Sequence, residues 1–483
     1  MSENKKAQKE KILCANPYMP LWEHVPDGEP RVFEYNGEKR LYVYGSHDTY
    51  KIDYCGYDYV VWSAPIDDLT NWTCHGVCYT SLDGSILYAP DVVQKGDTFY
   101  LYSAEQWGSK IYVSTSKNPA GPFENPTLTD LGFDPGILVD DDGRVYAYWG
   151  FCRSFCAELN DDMATIKEGT FHADPIGHTP DPENYENNKE SIDLRDAFFE
   201  ASSPRKIGGK YVYLYSKRYF TPVPELGIYT PNNGFLSYKW SDSPLEGYKD
   251  GGDISFNGGE ILRLPDGSGE QTYYWGNNHG GLVDVNGQWY VFYHRQTGTN
   301  EYARQGMLEP VDVAIAKDGK IYIGDITYVN GEPVSSSFVE MTSQGPHING
   351  LDAYKIISAG YACHVTPVGT THIKAVYDKI DGISAPVTNI KNGSIVGFKY
   401  IQFGPTSPKS ITISAIAPDF MTANVRLDSY HGKIISTIKL RPGMQSFTSE
   451  ITSGVIGKHA VYFEFIIPSN KAQAELIDFT FDK

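Results

Sequence analysis

Asp27, Asp134 and Glu200 are far apart in the chain, yet each heads the same local construction: a polar residue, a short apolar stretch, a Gly-containing turn and an aromatic strand. The construction also begins at Asp91 and His279, so the leading polar residues fall at 27, 91, 134, 200 and 279, with gaps of 64, 43, 66 and 79. Hydrolysing a glycosidic bond needs one carboxyl to protonate the leaving oxygen and a second to act on water or on the anomeric carbon. Three carboxyls facing one small volume would supply both and leave a third to tune and orient the acid, because like charges held close raise the pKa of at least one of them. Glu200 follows the aromatic pair Phe198-Phe199 at the mouth of the strand Lys210 to Ser216. A partly desolvated carboxyl there suits an acid that must keep its proton near neutral pH. The plainer reading of a strand-start Asp is a turn cap, which covers Asp140-Asp141-Asp142-Gly143, and Glu200 alone reads as a buried, hydrogen-bonded structural glutamate.

Something must carry these residues to one place. Five hairpins lead from Asp27 to Leu41-Tyr-Val-Tyr, from Asp91 to Phe99-Tyr-Leu-Tyr, from Asp134 to Val145-Tyr-Ala-Tyr, from Glu200 to Tyr211-Val-Tyr-Leu-Tyr, and from His279 to Trp289-Tyr-Val-Phe-Tyr. Further strands lie between them, such as Asp58 to Ala64 and Lys110 to Ser116. Five copies of one hairpin with outer strands between them read as five propeller blades, and the inner-strand starts of a propeller converge on its axis. A polar connector, Pro333 to Gly345, then leads to about 140 residues of alternating strands that read as a separate β-sandwich of jelly-roll type. The expected organisation is all-β, with a five-bladed β-propeller at 12–335 and a β-sandwich at 345–483.

Composition agrees with this and excludes other classes. The 483 residues include 36 Tyr, 22 Phe, 47 Gly and 29 Pro, as short strands and tight turns require. A formal charge of −19 argues against nucleic acid and anionic membranes as partners. No apolar run reaches the length of a membrane span, and the charged start Met1 to Lys11 lacks an apolar leader core, so the expected location is cytoplasmic. Seven cysteines, an odd number, fit reduced thiols better than a disulfide framework. The C-x3-C pairs Cys74/Cys78 and Cys152/Cys156 lack the further ligands of a zinc site.

In order, Pro26-Asp27-Gly-Glu-Pro-Arg-Val-Phe33, Gly45-Ser-His-Asp48, Tyr88-Ala-Pro-Asp91, Phe133-Asp134-Pro-Gly, Phe199-Glu200-Ala-Ser-Ser-Pro and Asn278-His279-Gly resemble the motifs of glycoside hydrolase family 43, over residues from about 15 to 335. The resemblance implies a five-bladed propeller of inverting exo- or debranching glycosidases, with Asp27 as general base, Asp134 as pKa modulator and Glu200 as general acid. It further implies substrate contacts at Asp91, His47 and Arg304, and a histidine, His279, near an axial ion, often calcium. For Arg304 a plain surface arginine, and for His279 a histidine satisfied by the channel, are the simpler readings. Asp27-Gly-Glu departs from the usual Asp-Pro-x, which leaves Glu29 as a rival for the base. The segment Asn389 to Gly404 and the closing strand resemble a family 6 carbohydrate-binding module.

The expected function is removal of terminal α-L-arabinofuranosyl groups from arabinoxylan-derived oligosaccharides. A β-D-xylosidase or bifunctional enzyme is the close alternative, and a non-catalytic carbohydrate-binding propeller the alternative of another class. The expected partner is a small oligosaccharide, and the sequence leaves the oligomeric state open.

Overall fold

The computed structural model describes residues 9–49, 53–178, 195–377, 385–468 and 473–483; the charged stretch 1–8 lies outside them. The described chain is all-β, interrupted by single-turn 3-10 helices at Pro224–Leu226 and Ala359–Tyr361. Five antiparallel sheets follow one another, each with strands in chain order. Their first strands are Glu29–Tyr35, Tyr88–Lys95, Gly136–Val139, Ala197–Ile207 and Leu282–Val285. The first four sheets have four strands each and the fifth has five. The expected outer strands appear as Asp58–Pro65 and Lys110–Ser116.

Turn chemistry fixes the register of the hairpins. Asn36-Gly37 and Asn286-Gly287 take positive φ at both residues, 53°/79° and 55°/85°, the two-residue turn whose twist matches paired strands. Tyr35 then pairs with Glu38, and Val285 with Gln288. The first strands of neighbouring sheets pack on one another. They approach closely: a Cβ on Gly136 would lie 2.1 Å from the Ser202 carbonyl oxygen of the fourth sheet, so only glycine fits. Arg205 of the fourth sheet donates through Nε to the Leu282 carbonyl of the fifth, and Arg31 of the first reaches the Ile137 carbonyl of the third at 3.1 Å.

Of the remaining strands, Ile261–Arg263 and Gly269–Gln271 pair as a two-stranded sheet, and the others form two six-stranded sheets, one around Ile395–Gln402 and Lys458–Ile466, the other around Ser410–Ile416 and Ala474–Asp482. Phe398, Phe463, Phe479 and Phe481 interlock edge-to-face between them. The closing strand of the sequence is Ala474–Asp482. Two features differ from expectation. The presumed connector begins as a strand, Glu332–Ser337, paired to Ile321–Val329, because its Pro333 sits in an edge strand that tolerates a missing N–H. The N-terminal segment also runs along the C-terminal sheets: Ile12 N–H donates to Ile356 O at 3.0 Å, and Asn16 Nδ2 donates to Thr342 O at 3.0 Å. One apolar core therefore runs from Ile12 and Leu21 through Leu214 and Tyr293 to Phe398 and Phe479.

Candidate active site

Asp27, Asp134, Glu200, His279 and Arg304 all line one pocket of about 610 Å³. Asp27 lies just before the first strand of the first sheet, Asp134 before that of the third, His279 before that of the fifth, and Glu200 within that of the fourth. The backbone is bent at these points. Asp27 and Asp134 have φ of 56° and 52°, and Ala201, next to Glu200, has 72°. Such values are uncommon for residues with a Cβ and collect at functional sites. The ladder beside Glu200 also slips register, between Phe198 and Glu200 and again between Glu200 and Ser203. A bulge of this kind re-aims a side chain next to a site.

Asp27 is gripped from two sides. Arg304 Nη1 donates to both of its oxygens, at 2.8 and 3.1 Å, and His294 Nδ1 lies 3.2 Å from Oδ1. The other edge of the same guanidinium holds Asp48, Nε to Oδ2 at 3.0 Å and Nη2 to Oδ1 at 2.9 Å. Burial alone would raise the Asp27 pKa, but Arg304 and then His294 outweigh it and hold the carboxyl well below the usual carboxylate range. Asp27 is therefore ionised near neutral pH and takes up its proton only well below it.

Glu200 has the opposite electrostatics. Burial and then the Asp27 charge push its carboxyl up to about 8, against Arg304 and a hydrogen bond from Asn277. Asp134 is also pushed up, by burial first and then by Glu200 and Asp27. Two such carboxyls beside an ionised third retain a proton between them near neutral pH. Asp134 Oδ2 accepts the Ala201 N–H at 3.2 Å, which favours its ionised form. His279 Nδ1 stands 3.5 Å from that same oxygen. Burial lowers the His279 pKa to about 4, so its ring is neutral.

Two expected substrate contacts are off the pocket. Asp91 is buried and absent from the pocket lining, and its carboxylate accepts Arg31 at 2.7 Å and the Ile137 N–H at 2.7 Å. It ties three sheets together and has no free face toward a ligand. His47 is clamped between Asp58, 2.6 Å from Nδ1, and Glu23, 3.2 Å from Nε2. Burial would lower its pKa, but the two acids win and raise it to about 9. Its neighbour in the same motif, Asp48, is the residue that reaches the site, through Arg304. Glu29, the rival base, does not line the pocket: it is buried between Arg205 and Arg31 and accepts Ser203 Oγ at 2.9 Å. Arg304 does line the pocket, but its donors are committed to Asp27, Asp48 and, at 3.4 Å, Cys55 Sγ, so it serves the base before any sugar.

The expected cation at His279 does not fit this donor set. A calcium ion takes six to eight oxygens, whereas among the described residues no three of His, Cys, Asp and Glu stand together as a metal-holding group. The charge that offsets Asp27 is the Arg304 guanidinium, and no step below runs through a metal.

One wall of the pocket escaped the sequence reading. Tyr88, Phe133, Phe151 and Phe199 form a continuous arc, each ring centroid 5.4 Å from the next. The lining reaches the surface at Phe151, 54% exposed, and at Trp107, 64% exposed. Phe133 and Phe199 directly precede Asp134 and Glu200, a signal present in the motifs but read there only as desolvation. On the opposite wall Tyr54 lies under Arg304, 5.1 Å from its ring centroid, and donates its hydroxyl to Glu301.

Comparison with known proteins completes the picture. The family model for glycosyl hydrolases family 43 matches residues 28–321. The xylosidase/arabinosidase of Thermoclostridium stercorarium is 31% identical, over 93% of this chain and 95% of its own. An arabinoxylan arabinofuranohydrolase of Paenibacillus polymyxa is 26% identical, over 92% of this chain and 71% of its own. Among solved structures, a glycoside hydrolase family 43 arabinoxylan arabinofuranohydrolase from Bacillus subtilis, in complex with cellotetraose, aligns over 98% of this chain and 99% of that one, at 22% identity and a TM-score of 0.46. The family match spans more than half of the chain, begins one residue after Asp27 and includes Asp134, Glu200, His279 and Arg304, so this protein is a glycoside hydrolase and belongs to glycosyl hydrolases family 43.

Proposed function

We propose that the chain is an inverting, exo-acting α-L-arabinofuranosidase that removes terminal arabinofuranosyl groups from arabinoxylan-derived oligosaccharides, with β-D-xyloside hydrolysis as a second activity of the same pocket. The observation that carries this reading is the opposed state of two carboxyls in one cavity: Asp27 held ionised by Arg304, and Glu200 pushed up to about 8. That is the division of labour of a base and an acid. Asp27 takes a proton from the attacking water as its oxygen bonds to the anomeric carbon. Glu200 gives its proton to the departing glycosidic oxygen, and the bond between that oxygen and the anomeric carbon breaks. Asp134 orients Glu200 and sets its field. The names of the relatives, xylosidase/arabinosidase and arabinoxylan arabinofuranohydrolase, support both the sugar class and the dual activity.

We read the five consecutive sheets as the blades of a five-bladed propeller, in a domain spanning 12–335. The two six-stranded sheets are then a jelly-roll β-sandwich, at 345–483, similar to a family 6 carbohydrate-binding module. On this reading the exposed rings at Phe151 and Trp107 take the sugar that leaves, since an apolar ring face suits a pyranose face. A non-catalytic sugar-binding role is disfavoured, because sugar binding alone has no need of two carboxyls held in opposite protonation states. Initial rates on aryl α-L-arabinofuranosides and aryl β-D-xylosides test the proposal. Hydrolysis of the arabinofuranoside, with slower hydrolysis of the xyloside, is expected; turnover of neither would end it.

A further inference from the structure

The residues that hold the base stand on a ladder whose reverse face grips the C-terminal sheets. In the fifth sheet, strand Gln288–Gln296 pairs with Arg304–Ile315, with Gln296 opposite Arg304, Arg295 opposite Gln305 and His294 opposite Gly306. Side chains alternate across a strand. His294 and Arg304 therefore face the pocket, where both contact Asp27, and Arg295 and Gln305 point the other way. Arg295 is fully buried, and among the described residues no carboxylate lies within ion-pair distance of it. Its Nη2 donates to the Gly360 carbonyl at 2.6 Å and to Gln305 Oε1 at 3.1 Å, and its Nη1 donates to the Ala362 carbonyl at 3.1 Å. Gln305 Nε2 donates in turn to Leu21 O at 2.9 Å, and its Oε1 accepts Thr297 Oγ1 at 2.7 Å. Gly360 belongs to the 3-10 turn Ala359–Tyr361, which is wholly buried and lies between strands of the two C-terminal sheets.

A buried cation without an acid partner is costly, and carbonyl dipoles together with the Tyr273 ring, whose centroid lies 5.7 Å from the guanidinium, must replace its lost water. Nothing in the packing of an apolar core calls for it, since an apolar side chain would fill the same space at less cost. What the arginine supplies is direction: a planar fork that fixes two carbonyls of one part of the chain against a specific rung of another. That rung has the grip on Asp27 on its other side.

We propose that Arg295 is a positioning residue for the general base, and that the C-terminal sheets act in catalysis by fixing, through the Gly360 and Ala362 carbonyls, the rung that carries His294 and Arg304. The proposal rests on Asp27 being the base, but its test does not depend on which sugar is cleaved. The groups facing Asp27 are Arg304, His294, His279, Glu200 and Asp134; those facing Arg295 are Tyr273, Tyr293, Tyr361, Cys363 and His24. None of the second set lines the pocket, so an effect of Arg295 on catalysis is indirect, through the ladder or through His24, whose carbonyl accepts the Asp48 N–H at 2.9 Å.

The experiment compares Arg295→Met, Arg295→Lys and Gly360→Ala with the parent, on whichever aryl glycoside the parent hydrolyses, well below each protein's melting temperature. A Cβ at Gly360 would lie 2.7 Å from Ala385 Cβ and 2.8 Å from Leu21 Cδ1, so the alanine displaces the turn without touching the pocket or the charge. Expected are a fall in kcat of about 10²-fold for Arg295→Met, the scale of an ångström-level misplacement, with KM within about twofold, since the sugar contacts remain. The acidic limb of kcat/KM should move to higher pH as the grip on Asp27 loosens. Arg295→Lys should recover part of the loss, and Gly360→Ala should show the same kinetic signature in weaker form. Unchanged kcat in folded Gly360→Ala and Arg295→Lys, or losses that only track the unfolded fraction with the pH limbs in place, would overturn the proposal. If Arg295→Met does not fold, the other two variants decide. Should the parent hydrolyse no aryl glycoside, the functional reading fails on its own, before any variant is compared.

Discussion

Arg304 holds Asp27 with one edge of its guanidinium, at 2.8 and 3.1 Å, while the other edge is fixed by Asp48. The carboxylate that would take a proton from water is thus kept charged and kept in place by one side chain, itself aimed by a second acid. Arg304→Lys should be far from conservative, because an ammonium cannot span both carboxylates. A drop in kcat/KM of roughly 10²-fold or more is expected. Asp27 should titrate higher, so the acidic limb of the pH profile should shift upward. Asp48→Asn should give a milder version of both effects. A variant with kcat/KM and acidic limb intact would remove Arg304 from the account.

Glu200→Gln should abolish hydrolysis of poor leaving groups while sparing much of the rate on activated aryl glycosides, since an acid matters less when the departing oxygen is already stable. The difference should be on the order of 10²-fold. The sign of the pH effect follows from the raised pKa: Glu200 is protonated below about 8 and active in that form, so the parent's rate should fall as pH rises through about 8. The variant should lack that limb. Equal losses on both substrate types would count against Glu200 as the acid.

Asp27→Asn should be nearly inactive but folded, whereas Glu29→Gln and Asp91→Asn should keep the parent's KM and lose stability. Glu29 and Asp91 neutralise the buried pair Arg31 and Arg205, and removing one charge from such a cluster costs about 3–5 kcal/mol. Thermal melts read beside steady-state rates separate the two outcomes. A large rise in KM for Asp91→Asn would restore the substrate role that its place off the pocket lining denies.

Much of this was legible in the chain. The repeated hairpin gave the five first strands and the convergence of Asp27, Asp134, Glu200 and His279, because a hairpin's pattern is local and its turn residues are explicit, as at Asn36-Gly37. What failed was the placing of Asp91, which heads its hairpin as Asp27 and Asp134 head theirs but lies inside the strand Tyr88–Lys95 and off the pocket lining, and sequence order does not show an offset of a few residues. In Gly45-Ser-His-Asp48 the reading chose the histidine over the aspartate, since which of two adjacent residues faces inward depends on backbone direction at the strand's end. The partners from distant segments, His294, Asn277 and Glu301, carry no local mark at all. The 3-10 turn at Gly360 and its hold on Arg295 were likewise invisible, since each half is unremarkable without the other.

The exposed rings make a separate prediction. Trp107→Ala should raise KM for an arabinoxylan-derived oligosaccharide about tenfold, equivalent to roughly 1.4 kcal/mol, and leave the rate on a small aryl arabinofuranoside within about twofold. Equal effects on both substrates would place Trp107 on the cleaved sugar and not on the leaving one.

The most direct test of the central claim is the configuration of the sugar at the moment of release. Asp27 and Glu200 stand on different sheets across a pocket of about 610 Å³, and an inverting pair needs its carboxyls roughly 6.5–9.5 Å apart to admit a water, against roughly 5–5.5 Å for a covalent route. A water activated by Asp27 attacks the anomeric carbon from the face opposite the bond that Glu200 protonates. Proton NMR during the first turnovers of an α-L-arabinofuranoside should show the β anomer before mutarotation. The α anomer appearing first, or a glycosyl adduct trapped on either acid, would contradict the mechanism even with the substrate correctly assigned.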